Sequence, residues 1–193
     1  MRNLLPKAGR YVKCNNRKRL GWMLDRFPQL KTEASLLWEA WWSNRALVRW
    51  LLEQGISPDV PGCSGHTLLM QAASENDVGM VRLLLVHGAD VNHRNEQGET
   101  AFSYCCANNS LASAQLLAEQ GADINTVDKG NGSPLDWAVC WSAAEFREWL
   151  VSMGARRNDD TYEPWAWPRP NSDCSGHHYV VDSVIVKDDG SCQ

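Results

Sequence analysis

No stretch of this 193-residue sequence approaches the length and apolarity of a membrane span, and its start, MRNLLPKAGRYVKC, lacks the apolar core of a secretory signal. A cytoplasmic protein without membrane contact is expected. Also missing are a phosphate-cradling glycine loop, a GxSxG elbow and an HExxH helix, so nothing points to an enzyme, a small-molecule substrate or a cofactor. Acidic residues are absent as far as Leu20, while seven bases fall there (Arg2, Lys7, Arg10, Lys13, Arg17, Lys18 and Arg19); from Asn158 onward seven acids face two bases. Such asymmetry suits either two solvated ends or a nucleic-acid or membrane contact. Only Tyr11 and Trp22 accompany the bases, and the middle of the chain is acidic, which makes nucleic acid an unlikely partner by composition. The seven cysteines are odd in number, so a complete disulfide framework is excluded and reduced thiols are expected.

What is present is a period. Gly55, Gly88, Gly121 and Gly154 are spaced by 33 residues, and the same shift carries Leu51 onto Leu84, Leu117 and Leu150, and Leu36 onto Leu69, Phe102 and Leu135. A fixed period of this length means a stacked array. In each unit a hydroxyl residue (Thr67, Thr100, Ser133) is placed to cap a short first helix, a second apolar helix follows, and a glycine ends it. Neither helix is long enough to persist alone, so stability must come from burial between units. Cys105 and Cys106 stand where Ala72 and Ala73 stand one period earlier, and are expected to be small buried hydrophobes.

GHTLLMQAASENDVGMVRLLLVHGADVN and GETAFSYCCANNSLASAQLLAEQGADIN closely resemble the ankyrin repeat. The resemblance covers residues 34–157 as three good repeats, beginning near Gly62, Asn95 and Asp128, behind a degenerate one. In the degenerate repeat Ala34 replaces the capping hydroxyl, and Glu39 occupies a column otherwise holding Ala72, Cys105 and Ala138. Its joint with the second repeat is therefore the weakest point of the pattern. The fold class implied is all-α, a solenoid of helix-turn-helix units. Finger loops join the units, each expected as two short extended runs about a Gly or Asn turn.

Ahead of the array, residues 4–30 read as a capping helix pair with Leu20, Met23, Leu24 and Phe27 on one face, ended by Pro28. One domain of residues 1–157 is expected, with residues 158–193 as a tail packed on the last repeat. That tail reads as irregular followed by a strand or hairpin at HHYVVDSVIV, with Trp165 and Trp167 as its packing residues. Cys174, His177 and His178, with Cys192, are its only metal candidates. They lack the paired knuckle that makes zinc assignments specific, so no metal is assigned.

Ten tryptophans are the anomaly, and the period sorts them. Trp50 and Trp149 share a column with Leu83 and Leu116 and are expected in the core. Trp42 and Trp141 share one with Glu75 and Asn108, which must face water. The ankyrin resemblance places this column, and the preceding one (Trp41, Ser74, Ala107, Cys140), on a concave palm that contacts partners. The expected contacts are thus Trp41, Trp42, Ser74, Glu75, Asn108 and Trp141, with Arg94, Glu96 and Lys129 at the finger tips. Large rings at end repeats could instead cover core that has no neighbour. The function implied is a non-enzymatic module binding a folded protein, in the form of an immunity protein that neutralises a toxin. The alternatives are a bacterial effector docking on a host protein, or a targeting arm for a small metal or nucleic-acid site.

Overall fold

The computed structural model describes residues 4–32 and 34–158. The tail readings, including Trp165, Trp167, Cys174, His177, His178 and Cys192, lie outside the described residues.

Among the described residues ten α-helices form five consecutive pairs: α1 (Leu5–Lys13) with α2 (Arg17–Arg26), α3 (Ala34–Ser43) with α4 (Arg45–Glu53), α5 (Leu68–Ser74) with α6 (Val78–Val86), α7 (Ala101–Ala107) with α8 (Leu111–Glu119), and α9 (Pro134–Trp141) with α10 (Ala144–Ser152). Each pair is a hairpin, and the first helices stack α1 on α3, α5 on α7 and α7 on α9. The capping hydroxyls act as the sequence predicts: Thr67, Thr100 and Ser133 accept from the backbone amides of Met70, Ser103 and Asp136 at 3.4, 3.3 and 3.2 Å. Ser103 and Asp136 return a bond to the cap residue's own amide and close two capping boxes. The glycines of the 33-residue beat end the second helices with φ between +82° and +86°, where any other residue would be strained.

The second helices bury the ladder. Leu51, Leu84, Leu117 and Leu150 are fully inaccessible, as are Val48, Val81 and Ala114. Each such leucine contributes about 1.5–3 kcal/mol by leaving water. The amino-terminal pair closes one end of the array: Ala8, Val12, Leu20, Met23 and Leu24 are buried and α1 packs on α3. Cys105 and Cys106 are fully buried, and the desolvation of their thiolates holds both thiols well above the ordinary value.

Between pairs the chain makes fingers stitched by side chains. The Asn95 carboxamide oxygen accepts from Gln97 N and Glu99 N, and the Asp128 carboxylate does the same for Gly130 N and Gly132 N. Neighbouring fingers are tied by Glu96 N to Ser64 O at 2.9 Å and Lys129 N to Gln97 O at 2.8 Å. The extended runs expected here are not assigned as strands among the described residues: these side-chain-closed turns leave too few consecutive backbone pairs for a ladder. At the finger bases, Asn92 Oδ1 accepts from Asp123 N at 2.8 Å and, one period on, Asn125 Oδ1 accepts from Arg156 N at 2.8 Å. The array's register is thus carried by polar bonds as well as by leucines.

One joint departs from the others. α5 packs closely on α7, α7 on α9 and α1 on α3, whereas the backbones of α3 and α5 stand further apart. Glu39 turns back to Lys13 of the cap at 3.3 Å. Trp41, in a column of Ser74, Ala107 and Cys140, needs more room than they do and is buried at this joint with 2% exposure.

Candidate functional site: a shared solvent-facing column

Residues in or just after the last turn of the first helices form one solvent-facing row. Trp42 is 42% and Trp141 55% exposed, and Glu75 and Asn108 between them are also exposed. Three stacked repeats at about 10 Å each separate the two rings by about 30 Å. Desolvating an exposed indole is favourable, and aromatic anchors of this kind carry much of the energy of protein interfaces.

The rest of the expected contact set is less uniform. Trp41 is not a contact: its ring lies inside the joint, with the Arg45 guanidinium 4.3 Å above its centroid. Glu75 faces solvent but is already engaged. It accepts from Gln71 Nε2 at 2.8 Å and pairs with Arg45, whose other nitrogen reaches Asp77 at 2.6 Å. Arg45 thereby ties the degenerate repeat to the next one across its widest joint. Ser74 is half-buried; its hydroxyl donates to Gln71 O at 2.9 Å and its carbonyl accepts from Ser110 Oγ at 3.1 Å. Asn108 donates to Tyr104 O at 2.9 Å while its side chain remains exposed. At the finger tips Arg94, Glu96 and Lys129 are all exposed, and the Arg94 guanidinium donates to the Val127 carbonyl of the following finger.

Behind this surface, where the fingers meet the first helices, runs a buried polar row. Glu99, 5% exposed, accepts from Asn95 Nδ2 at 2.7 Å and Tyr104 OH at 2.8 Å. Burial raises its pKa, against the opposing effect of those two hydrogen bonds. His66 is wedged between the Trp38 ring at 5.9 Å and the Tyr104 ring at 4.8 Å, and burial lowers its pKa to about 4, so it is neutral near pH 7. One repeat further on, Trp137 Nε1 donates to Asp128 Oδ2 at 2.8 Å. Each interaction fastens a finger to a helix of its own repeat or a neighbouring one.

The arrangement of short helix pairs, side-chain-closed fingers and a 33-residue register has a counterpart among known families: residues 36–128 match the family model for ankyrin repeats, in 3 copies. Residues 36–128 are ankyrin repeats. No curated protein matches the chain. Ankyrin repeats are in general interaction modules for other proteins. The row from Trp42 to Trp141 lies on helix ends that the stack holds in place. Among the described residues no group of three or more His, Cys, Asp or Glu side chains is placed to hold a metal, and no helix is long and apolar enough to cross a membrane.

Column reasoning missed Arg45 and His66. Arg45 was legible as the one charged residue in a column otherwise Val78, Leu111 and Ala144, with two acids of the next repeat's turn, Glu75 and Asp77, in reach. His66 gave no signal, since its column holds Glu99 and Gly132 and shares no chemistry.

Proposed function

We propose that this ankyrin array is a non-enzymatic binding module for a folded protein, gripped by the row Trp42, Glu75, Asn108 and Trp141 with the finger tips at its edge. The observation that carries the reading is the exposure of two indoles in one column three repeats apart. A small ligand could not bridge both rings, because about 30 Å exceeds its span, whereas a folded partner covering about 800 Å² reaches both. The narrower form of the proposal is that the partner is a toxin held inactive by being covered. A broad rigid face that buries a partner's surface suits neutralisation, and requires no chemistry from the array.

The test is capture with the full chain beside its Trp42→Ala/Trp141→Ala double variant. One stoichiometric protein, retained by the first and lost by the second while both melt at the same temperature, is the expected result. Equal capture by the two would overturn the assignment of this row. Neutralisation is tested on the captured partner itself, by assaying its toxicity or catalytic activity with and without the array; an unaffected partner removes the narrower form and leaves the broader one standing.

A further inference from the structure

The last repeat has no successor among the described residues, and its far side keeps the chemistry of a surface meant to be covered. Val139 stands in a column whose other members, Ala40, Ala73 and Cys106, are fully buried, and is itself 43% exposed. Val151, in the column of the buried Leu52 and the half-buried Leu85 and Ala118, is 60% exposed. One position differs in kind: where Val48, Val81 and Ala114 are fully buried, the last repeat has Arg147, half-buried at the same face. The chain also leaves in the array's own register. Arg156 N donates to Asn125 Oδ1 as Asp123 N does to Asn92 Oδ1 one period earlier, and Asn158 bonds to Asp136 through its amide and to Asn131 O through its side chain. The backbone at residues 155–158 therefore follows the path on which the finger at residues 122–125 begins.

We propose that this face is covered by the chain's own carboxy-terminal segment, residues 159–193. The segment leaves from the last repeat, where Asn158 is bonded to Asp136 and Asn131, and brings Trp165 and Trp167 within ten residues of that exit. Pro168 and Pro170 fall where a fifth first helix would lie, so the cover is not another repeat. Charge supports the same occupant: Asp159, Asp160 and Glu163 follow the exit directly, and the face and its edge carry Arg147 and Arg156. A capped end also explains how Val139 and Val151 are tolerated, because an array's last face must be shielded to stay soluble. This inference is independent of the Trp42 to Trp141 row.

Hydrogen exchange decides it, read on α10 with α6 as the internal reference, for the full chain, the chain ending at Asn158, and the full-length Trp165→Ser/Trp167→Ser variant. The α10 amides should exchange about tenfold faster or more in both altered proteins while α6 is unchanged. If the shortened chain does not fold, the full-length double variant carries the comparison. Equal α10 exchange in the full chain and the double variant would overturn the proposal. So would sedimentation of the full chain as a dimer that Val151→Lys converts to a monomer, since a second copy would then be the cover.

Discussion

The Arg45 guanidinium lies 4.3 Å over the Trp41 ring and reaches Asp77 of the next repeat at 2.6 Å, so one side chain both roofs a buried indole and bridges two repeats. The bridge sits at the joint where the first helices are furthest apart, and there is less apolar contact there to substitute for it. Changing Arg45 to Ala should loosen the first two helix pairs from the rest. Arg45 is itself exposed, so the loss should be modest, about 1 kcal/mol, most of it from the uncovered ring and not from the screened ion pairs. Urea melts followed by tryptophan fluorescence check this: a lower midpoint with a shallower slope is expected, and an unchanged curve would show that the joint does not depend on Arg45.

Leu84 and Leu150 are equally inaccessible, yet they differ in what surrounds them. Leu84 has a repeat on either side, whereas Leu150 has one, so the cavity left by Leu84→Ala is walled by more fixed neighbours. The expected cost is about 2–5 kcal/mol at Leu84 and less at Leu150. Equal losses in urea melts would contradict a stack with ends.

Much of this architecture was legible beforehand because a period makes columns, and a column reports burial better than any single residue. The leucine ladder, the capping hydroxyls and the water-facing row of Trp42 and Trp141 all follow from that. The same logic failed at Trp41, where a column of small residues hid the fact that the degenerate repeat spaces its joint differently. It also fell short at Trp50 and Trp149, expected in the core and found half-buried against it: Trp50 lies over Gly21 of the cap and Trp149 beside Phe102 and Phe146. Pairings such as Arg45 with Glu75 and Asp77, or His66 with its two aromatic neighbours, depend on where side chains point across a joint, and no period encodes that.

His66 makes stability depend on pH. Its folded pKa is lowered from 6.5 to about 4 by burial, so the unfolded chain binds the proton first. Stability is full above the unfolded value and is lost as pH falls from about 6.5 to about 4, by up to about 3 kcal/mol. Glu99 opposes this at the lower end, because a carboxyl whose folded pKa is raised gains stability on protonation. Asp136 lies outside the window: burial pushes its pKa up, but Ser133, Arg157 and the amide of Asn158 more than offset this and lower it, so its contribution is lost only below the ordinary carboxylate range. Denaturation at pH 7, 5.5 and 4.5 should show the slope, and His66→Asn should flatten it whatever that change does to absolute stability. A slope unaltered by the substitution would place its source elsewhere.

The last prediction separates the two roles open to the exposed indoles. If Trp42 and Trp141 are anchors, each change to Ala should weaken partner binding by about thirtyfold, or 2 kcal/mol, while the melting temperature barely moves. Glu75 should behave differently, since it is tied to Arg45 and Gln71: Glu75→Gln should change the association rate and its salt dependence more than the dissociation rate, and should also cost the joint some stability. If the rings instead shield core at the ends of the stack, the same Trp→Ala changes lower the melting temperature and leave affinity per folded molecule intact. Titrations and melts on the same two proteins distinguish these outcomes. Reversing the charges of Arg94, Glu96 and Lys129 supplies the remaining comparison: should that abolish binding while both tryptophan variants retain it, the fingers are the site and the Trp42 to Trp141 row is not.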